Sequence, residues 1–102
     1  MKVNLKPNEV VVKASDTSHL TNEDKVKGKL ILTNQRIYFK SIDHDKDEFD
    51  FELLPTEISE VMVFNTYSFF SNGLSLITKD GRELKFTIKK RDEWCRSINY
   101  MN

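Results

Sequence analysis

Ten residues constrain the fold more than any other stretch of the chain. Residues 30–39 read LILTNQRIYF, two apolar runs of three residues separated by four polar residues. A two-residue turn at positions 34–35 places Leu30 opposite Phe39, and directly opposed residues share one face of an antiparallel pair. A three-residue loop would instead put Leu30 on the same face as Lys40. Because register follows the hydrophobic pattern, the sequence predicts a β-hairpin with one apolar face.

A second hairpin is predicted from residues 74–86, which read LSLITKDGRELKF. The dipeptide DG within this segment is a strong turn signal. A two-residue turn would set Leu76 against Lys85, whereas a three-residue loop sets Leu76 against Leu84. The better pattern therefore predicts the three-residue loop, with Gly81 in the left-handed conformation that such a loop requires.

The rest of the chain supplies three more strands and one helix. Apolar or alternating segments predict strands at residues 9–13, 49–53 and 58–64. In the final segment, KRDEWCRSINYMN, Trp94 and Ile98 recur at helical spacing and predict a helix over about residues 90–101. The fold class is mainly β with one C-terminal helix. It is a seven-stranded antiparallel sandwich or partly open barrel, with strands within about residues 8–88, capped by the helix.

Length and composition narrow the class of protein. The chain has 102 residues, which predicts one domain spanning residues 1–102. Its 16 basic and 16 acidic side chains give no net charge, which argues against a general nucleic-acid-binding protein. Cys95 is the single cysteine and cannot form an internal disulfide, and the N-terminus lacks the apolar core of a signal peptide. These features predict a cytoplasmic protein, with peripheral attachment to a membrane left open.

The neutral total conceals an acidic segment between two basic ones. Residues 1–42 hold eight basic and four acidic side chains, for a charge of +4. Residues 43–60 hold one basic and eight acidic side chains, for −7, and residues 61–102 hold seven and four, for +3. The acidic segment is therefore positioned to neutralise a basic surface formed by its neighbours.

Four segments of the chain resemble the GRAM domain family, a branch of the PH-like superfold, in their order and spacing. LKPNEVVV resembles the opening of the family, and GKLILTNQRIYFKS, residues 28–41, resembles its G-x-L-x-[LI]-T-x-x-R-[IL]-x-F core motif. LLPTEISEV, residues 53–61, and NGLSLITKDGRELKF, residues 72–86, resemble its central strands and last hairpin. The resemblance implies a seven-stranded PH-like fold with a C-terminal helix. It also implies a non-catalytic module that docks on membrane lipids or proteins.

Five basic side chains are candidate ligand-binding residues. In the predicted hairpin, Lys29 lies directly opposite Lys40. Lys27 and Lys13 are expected to point the same way, and Arg36 lies at the turn. One interpretation is an electropositive patch for a phospholipid headgroup or an acidic peptide. The other is a solvated face that the acidic segment neutralises, in which exposed charges contribute little.

An aromatic loop, FNTYSFFSNG at residues 64–73, is the second candidate site. If Tyr67, Phe69 and Phe70 are exposed, they would insert into a membrane interface or grip a partner protein. The alternative is that Phe64 and one of Phe69 and Phe70 fill the core, because aromatic side chains are more often buried than exposed.

No motif in the chain predicts chemistry. Asp43, Asp45 and Asp47 resemble the start of a calcium-binding EF-hand loop, but the sixth and twelfth positions lack the Gly and Glu that such a loop needs. His19 and His44 have no partners at metal-ligand spacing and are expected at the surface. The sequence therefore predicts no enzymatic activity, no cofactor and no metal.

The predicted function is a non-catalytic docking module for a protein or peptide, with no nucleic acid as partner. Binding to anionic membrane lipid is the alternative. Protein binding is favoured because net charge is zero and the basic residues are scattered. A phosphoinositide site of the PH type would concentrate them in the first strand–loop–strand, where Asp16, Glu23 and Asp24 dilute the positive charge.

Overall fold

Seven antiparallel strands and one α-helix make up the computed structural model, which describes residues 4–22, 25–66 and 70–101, apart from the side chains of His44, Phe70 and Ser71. The elements are β1 (Val11–Leu20), β2 (Lys25–Thr33), β3 (Ile37–Ser41), β4 (Phe51–Leu53), β5 (Ile58–Thr66), β6 (Phe70–Thr78), β7 (Glu83–Ile88) and α1 (Arg91–Met101). Short 3₁₀ turns at His44–Phe49 and Pro55–Glu57 flank β4.

The strands form one sheet in the order β4-β3-β2-β1-β7-β6-β5. Within the described ranges β4 and β5 are its two edges and do not pair, so the sheet curls around a core without closing into a barrel. The helix α1 covers this core with Trp94 and Ile98, which are both buried. The predicted class is confirmed, with the sheet more open than a barrel.

The first hairpin has the predicted register. Leu30 pairs with Phe39, and Lys29 pairs with Lys40. Leu30 and Phe39 are fully buried, which follows from the apolar face that selected the two-residue turn. Thr33 closes the turn, because its backbone N–H donates to the carbonyl of Arg36 at 2.9 Å.

The second hairpin has the predicted three-residue loop. Leu76 pairs with Leu84 in β7, and the Thr78 N–H donates across the loop to the carbonyl of Arg82 at 2.9 Å. Gly81 has a φ of 90°, the left-handed conformation that L side chains rarely adopt. Local turn chemistry and alternation were therefore sufficient to fix this part of the sheet.

The strand β1 is longer than the predicted segment 9–13, because polar residues continue it to Leu20. Two of them face inward and bond to the backbone of β7. The Thr17 Oγ1 donates to the carbonyl of Thr87 at 2.7 Å, and the His19 Nδ1–H donates to the carbonyl of Lys85 at 2.9 Å. The polar composition concealed the strand since these side chains find partners only in the folded sheet.

His19 is buried, so the expectation that it lies at the surface is wrong. Its ring stacks on Phe86 at 4.7 Å between centroids, and the rings of Phe39 and Phe51 meet it edge-on at 5.4 and 6.0 Å. Burial among these rings lowers the pKa of His19, because the charged imidazolium would lose its solvation. The residue therefore acts as a neutral part of the core.

Replacing Trp94 with Ala should reduce the free energy of unfolding by about 3–5 kcal/mol, as expected for the loss of a large core side chain. Trp94 is only 1% exposed, whereas Tyr100 on the same helix is 92% exposed. Tyr100→Ala is therefore the matched control and should change stability little. Urea denaturation followed by circular dichroism measures both variants. Strong quenching of native tryptophan fluorescence by iodide would contradict the burial on which this prediction depends.

Candidate functional site

The opposed pair of Lys29 and Lys40 lies in a row of four charges across the outer face of the sheet. Asp16 of β1 pairs with Lys29 on one side, and Asp50 extends the row beyond Lys40 on the other. The Lys40 Nζ lies 3.8 Å from Asp50 Oδ2, while Asp50 Oδ1 accepts the backbone N–H of Ser41 at 2.7 Å. The signs therefore run −, +, +, −, so the acidic segment folds back against the basic pair.

Arg36 lies inside a buried ion-pair cluster rather than on an exposed basic patch. Its Nε and Nη2 donate to the two carboxylate oxygens of Glu9 at 2.8 and 2.9 Å. Its Nη1 lies 2.9 Å from Glu52 Oε1, and the guanidinium lies 4.8 Å from the centre of the Tyr38 ring. Arg36 is 8% exposed, so its guanidinium N–H groups bind partners within the folded domain. This differs from the exposed position predicted for it.

Glu9 is held in the charged form by this cluster. The hydrogen bonds from Arg36, together with one from the Thr33 Oγ1 at 2.6 Å, lower the pKa of Glu9 to about 2 against the opposing effect of burial. The same contacts raise the pKa of Arg36. The pair is therefore ionised throughout the range in which proteins normally fold.

Lys13 points away from Lys29 and Lys40, so its predicted place in the same patch is wrong. A bulge between Val11 and Lys13 shifts the register of β1, and Lys13 then lies opposite Leu32, whose side chain faces the core. The Lys13 Nζ lies 6.0 Å from the Trp94 ring and 3.9 Å from the carboxylate of Glu93 on α1.

Lys27 remains exposed and lines a cavity on the outer face of the sheet. The cavity has a volume of about 490 Å³ and combines Lys27 and Lys89 with the hydroxyl groups of Ser18 and Thr87. Asp16 also lines it and offsets one of the two positive charges. Basic and hydroxyl side chains therefore share a concave site on the outer face of the sheet.

The aromatic loop is only partly described. Tyr67, Phe69 and the side chain of Phe70 lie outside the described residues. Phe64 is half-buried on the outer face, and the Lys85 Nζ lies 5.7 Å from the centre of its ring. Phe64 therefore belongs to the surface of the sheet and not to its core.

Sequence reasoning missed an apolar groove of about 590 Å³ between the start of β1 and the C-terminal half of α1. Its wall carries Val12, 59% exposed, and Tyr100, 92% exposed, and its floor is the buried Leu32. The complete lining is Val12, Leu32, Asn34, Pro55, Arg96, Ser97, Tyr100 and Met101. The valine run at residues 10–12 and the aromatic residue near the chain's end were the available signals, but nothing in the sequence brought them together.

Solved structures with a similar fold place the chain in the PH-like class. The C-terminal domain of an unknown protein from Leishmania infantum has a TM-score of 0.80 and 16% identity, over 93% of this chain and 85% of that one. The Vps36 N-terminal PH domain has a TM-score of 0.69 and 17% identity, over 96% and 85%. The Slm1-PH domain, in complex with inositol-4-phosphate, has a TM-score of 0.66 and 16% identity, over 90% and 97%.

The family follows from the sequence itself. The model of the GRAM domain family matches residues 1–100, and the chain belongs to that family. No curated protein matches the chain. Among the helices that the structure describes, none is long and apolar enough to cross a membrane.

Replacing Glu9 with Gln should reduce the free energy of unfolding at neutral pH by about 3 kcal/mol, since it leaves Arg36 buried with less compensating charge. Because folding lowers the pKa of Glu9, its contribution is complete above the unfolded pKa and is lost as pH falls toward about 2. Urea titrations at several pH values should therefore show a steeper acid loss in the wild type than in the variant.

The control for this experiment is Glu60→Gln, because Glu60 is exposed on β5. It should change stability by less than about 0.5 kcal/mol, as is usual for surface substitutions. Equal effects of the two substitutions would show that the Glu9–Arg36 pair does not stabilise the fold.

Proposed function

We propose that this GRAM domain is a docking module for another protein, and that the apolar groove between β1 and α1 is its binding site. The observation that carries the proposal is the exposure of large apolar side chains around a concave apolar surface. Of the residues that line the groove, Val12 is 59% exposed and Tyr100 is 92% exposed. Contiguous exposed apolar surface on a folded domain is typical of a protein interaction site.

The arrangement of charge supports the same conclusion. Arg36 is committed to Glu9 and Glu52, and Lys40 lies beside Asp50. Lys13 lies beside Glu93, on the other face. The basic side chains that could have formed one anionic-ligand site are thus separated and largely neutralised. The apolar groove is therefore the larger surface feature that contacts among the described residues leave exposed.

The proposed role requires no chemistry from the domain. GRAM and PH-like domains are typically non-catalytic binding modules. The described titratable groups with clearly displaced pKa values are explained by contacts within the fold: Glu9 and Arg36 by their ion pair, His19 and Tyr38 mainly by burial, and Asp80 by hydrogen bonds from Thr78 and Arg82. None of them needs a catalytic role to account for it.

Affinity capture from a lysate of the source organism tests the groove when three forms of the domain are compared. Val12→Asp places a charge on the groove wall and should abolish binding of the proteins that the wild type captures. An unpaired charge is costly in an apolar interface. Lys27→Glu, on the outer face, should leave them bound. Thermal melts should show that both variants remain folded, because both side chains are exposed. Identical capture by all three forms would reject the groove.

Binding to an anionic lipid headgroup is the second candidate, and the outer-face cavity favours it. Lys27 and Lys89 line that cavity, and the structurally similar Slm1-PH domain has been solved with inositol-4-phosphate. Co-sedimentation with phosphatidylcholine vesicles, with and without phosphatidylinositol 4-phosphate, tests it. Lys27→Glu should then weaken binding by about 1 kcal/mol or more, whereas Arg96→Glu on α1 should not. No binding to either vesicle would reject this candidate.

A further inference from the structure

We propose that the partner docks through a linear segment carrying an apolar side chain with a carboxylate beside it. The groove binds the apolar side chain, and Arg96 binds the carboxylate. This inference rests on the proposed function and adds the chemistry of the partner. It follows from three observations: the charge of Arg96, the shape of the groove, and the stretch of β1 that β7 does not pair.

Arg96 is an exposed cation at the rim of the groove, on the middle of α1. Within the described part of the chain, no carboxylate lies within ion-pair distance of the Arg96 guanidinium. The guanidinium also makes no hydrogen bond to a described residue. An arginine in this position offers a planar set of donors that fits a carboxylate through two parallel hydrogen bonds.

The neighbouring cations differ from Arg96 because each has an acidic partner. On α1, Arg91 Nε lies 3.7 Å from the carboxylate of Asp92. Lys13 and Lys90 both approach Glu93, at 3.9 and 4.0 Å. Arg96 is therefore a positive charge at the rim of the groove with no carboxylate paired to it among the described residues, and the complement of that charge is an acid on the partner.

The size and lining of the groove suit a side chain inserted from outside. Its volume of about 590 Å³ falls in the range of sites that enclose a ligand, and the buried Leu32 forms an apolar floor. Tyr100 and Met101 on one wall are residue types enriched, with arginine, where protein interfaces bind most strongly. A leucine, isoleucine or phenylalanine side chain would bury apolar surface against all of these residues.

The stretch of β1 that β7 does not pair favours a linear segment over a preformed globular surface. Of the described strands, β7 pairs with β1 only from Thr17 to Leu20, so residues 11–16 have no strand on that side. Val12, which lines the groove, lies within this unpaired stretch. An extended peptide can pair its backbone with such an edge and direct alternate side chains into an adjacent pocket.

Selection from a library of random linear peptides tests the inference, using wild-type domain and Arg96→Glu as the two targets. Peptides selected on the wild type should combine an apolar residue with Asp or Glu within a few positions. Their affinity should fall about tenfold or more on Arg96→Glu, which loses a charge-assisted contact and repels the acid. Arg96→Lys should retain part of it. Selection on Arg96→Glu should enrich Lys or Arg instead.

Two controls separate this inference from the proposed function. Lys27→Glu changes charge by the same amount on the other face and should leave the affinity of selected peptides unchanged. Val12→Asp should abolish their binding if the groove is the site. Peptides whose binding requires Val12 but which show no preference for acidic residues would overturn the inference. They would still support the groove as the binding site. Peptides indifferent to Val12→Asp would overturn the groove, and failure to enrich any peptide would overturn the linear segment as the partner.

A second copy of the chain is the other occupant that the experiment can reveal. Analytical ultracentrifugation of the wild type and Val12→Asp measures the oligomeric state directly. A wild-type dimer that Val12→Asp converts to monomer would show that the groove binds another copy of this chain. That result would overturn the inference of an acidic peptide partner, whereas a monomer in both cases is the result expected.

Discussion

The ion pair between Glu9 and Arg36 holds a segment that lies outside the sheet against the first hairpin. It links the segment before β1 to the turn between β2 and β3, and Glu52 extends it to the edge strand β4. Arg36 also donates to the carbonyl of Asn4 at 2.9 Å, which fixes the first described residue. Because a buried charge without its partner is strongly unfavourable, loss of either partner should destabilise the packing of these segments.

Contacts with acidic side chains also limit the exposed positive charge of the domain. The ion pair withdraws the arginine of the first hairpin from solvent, and the acidic segment after β3 places Asp50 beside the lysine pair on the outer face. Among the described residues, the surface then includes an apolar groove with Arg96 at its rim, and a smaller cavity lined by Lys27 and Lys89 on the opposite side of the sheet. In the folded domain the apolar groove and the outer-face cavity thus lie on separate faces, although their residues are interspersed along the sequence.

The sequence alone was sufficient to predict features that depend on residues close together in the chain. Both hairpin registers, the left-handed Gly81 and the buried face of α1 follow from alternation, turn chemistry and helical spacing within short windows. It was insufficient where polar groups find distant partners. Glu9 and Arg36 are 27 positions apart, and His19 bonds to a backbone 66 positions away. The groove is harder still to predict from the sequence, because its residues come from β1, the β2–β3 turn and α1.

The bulge between Val11 and Lys13 lies at the start of β1 and sets the face that each later side chain of the strand takes. Val12, within the bulge, lines the groove; beyond it, Lys13 faces α1 on the core side of the sheet, while Asp16 and Ser18 line the cavity on the outer face. One strand therefore contributes to a cavity on each face of the sheet, and its register sets which residues each cavity receives. Deleting a single residue at the bulge would exchange the faces, so insertions and deletions here should be far rarer among relatives than substitutions.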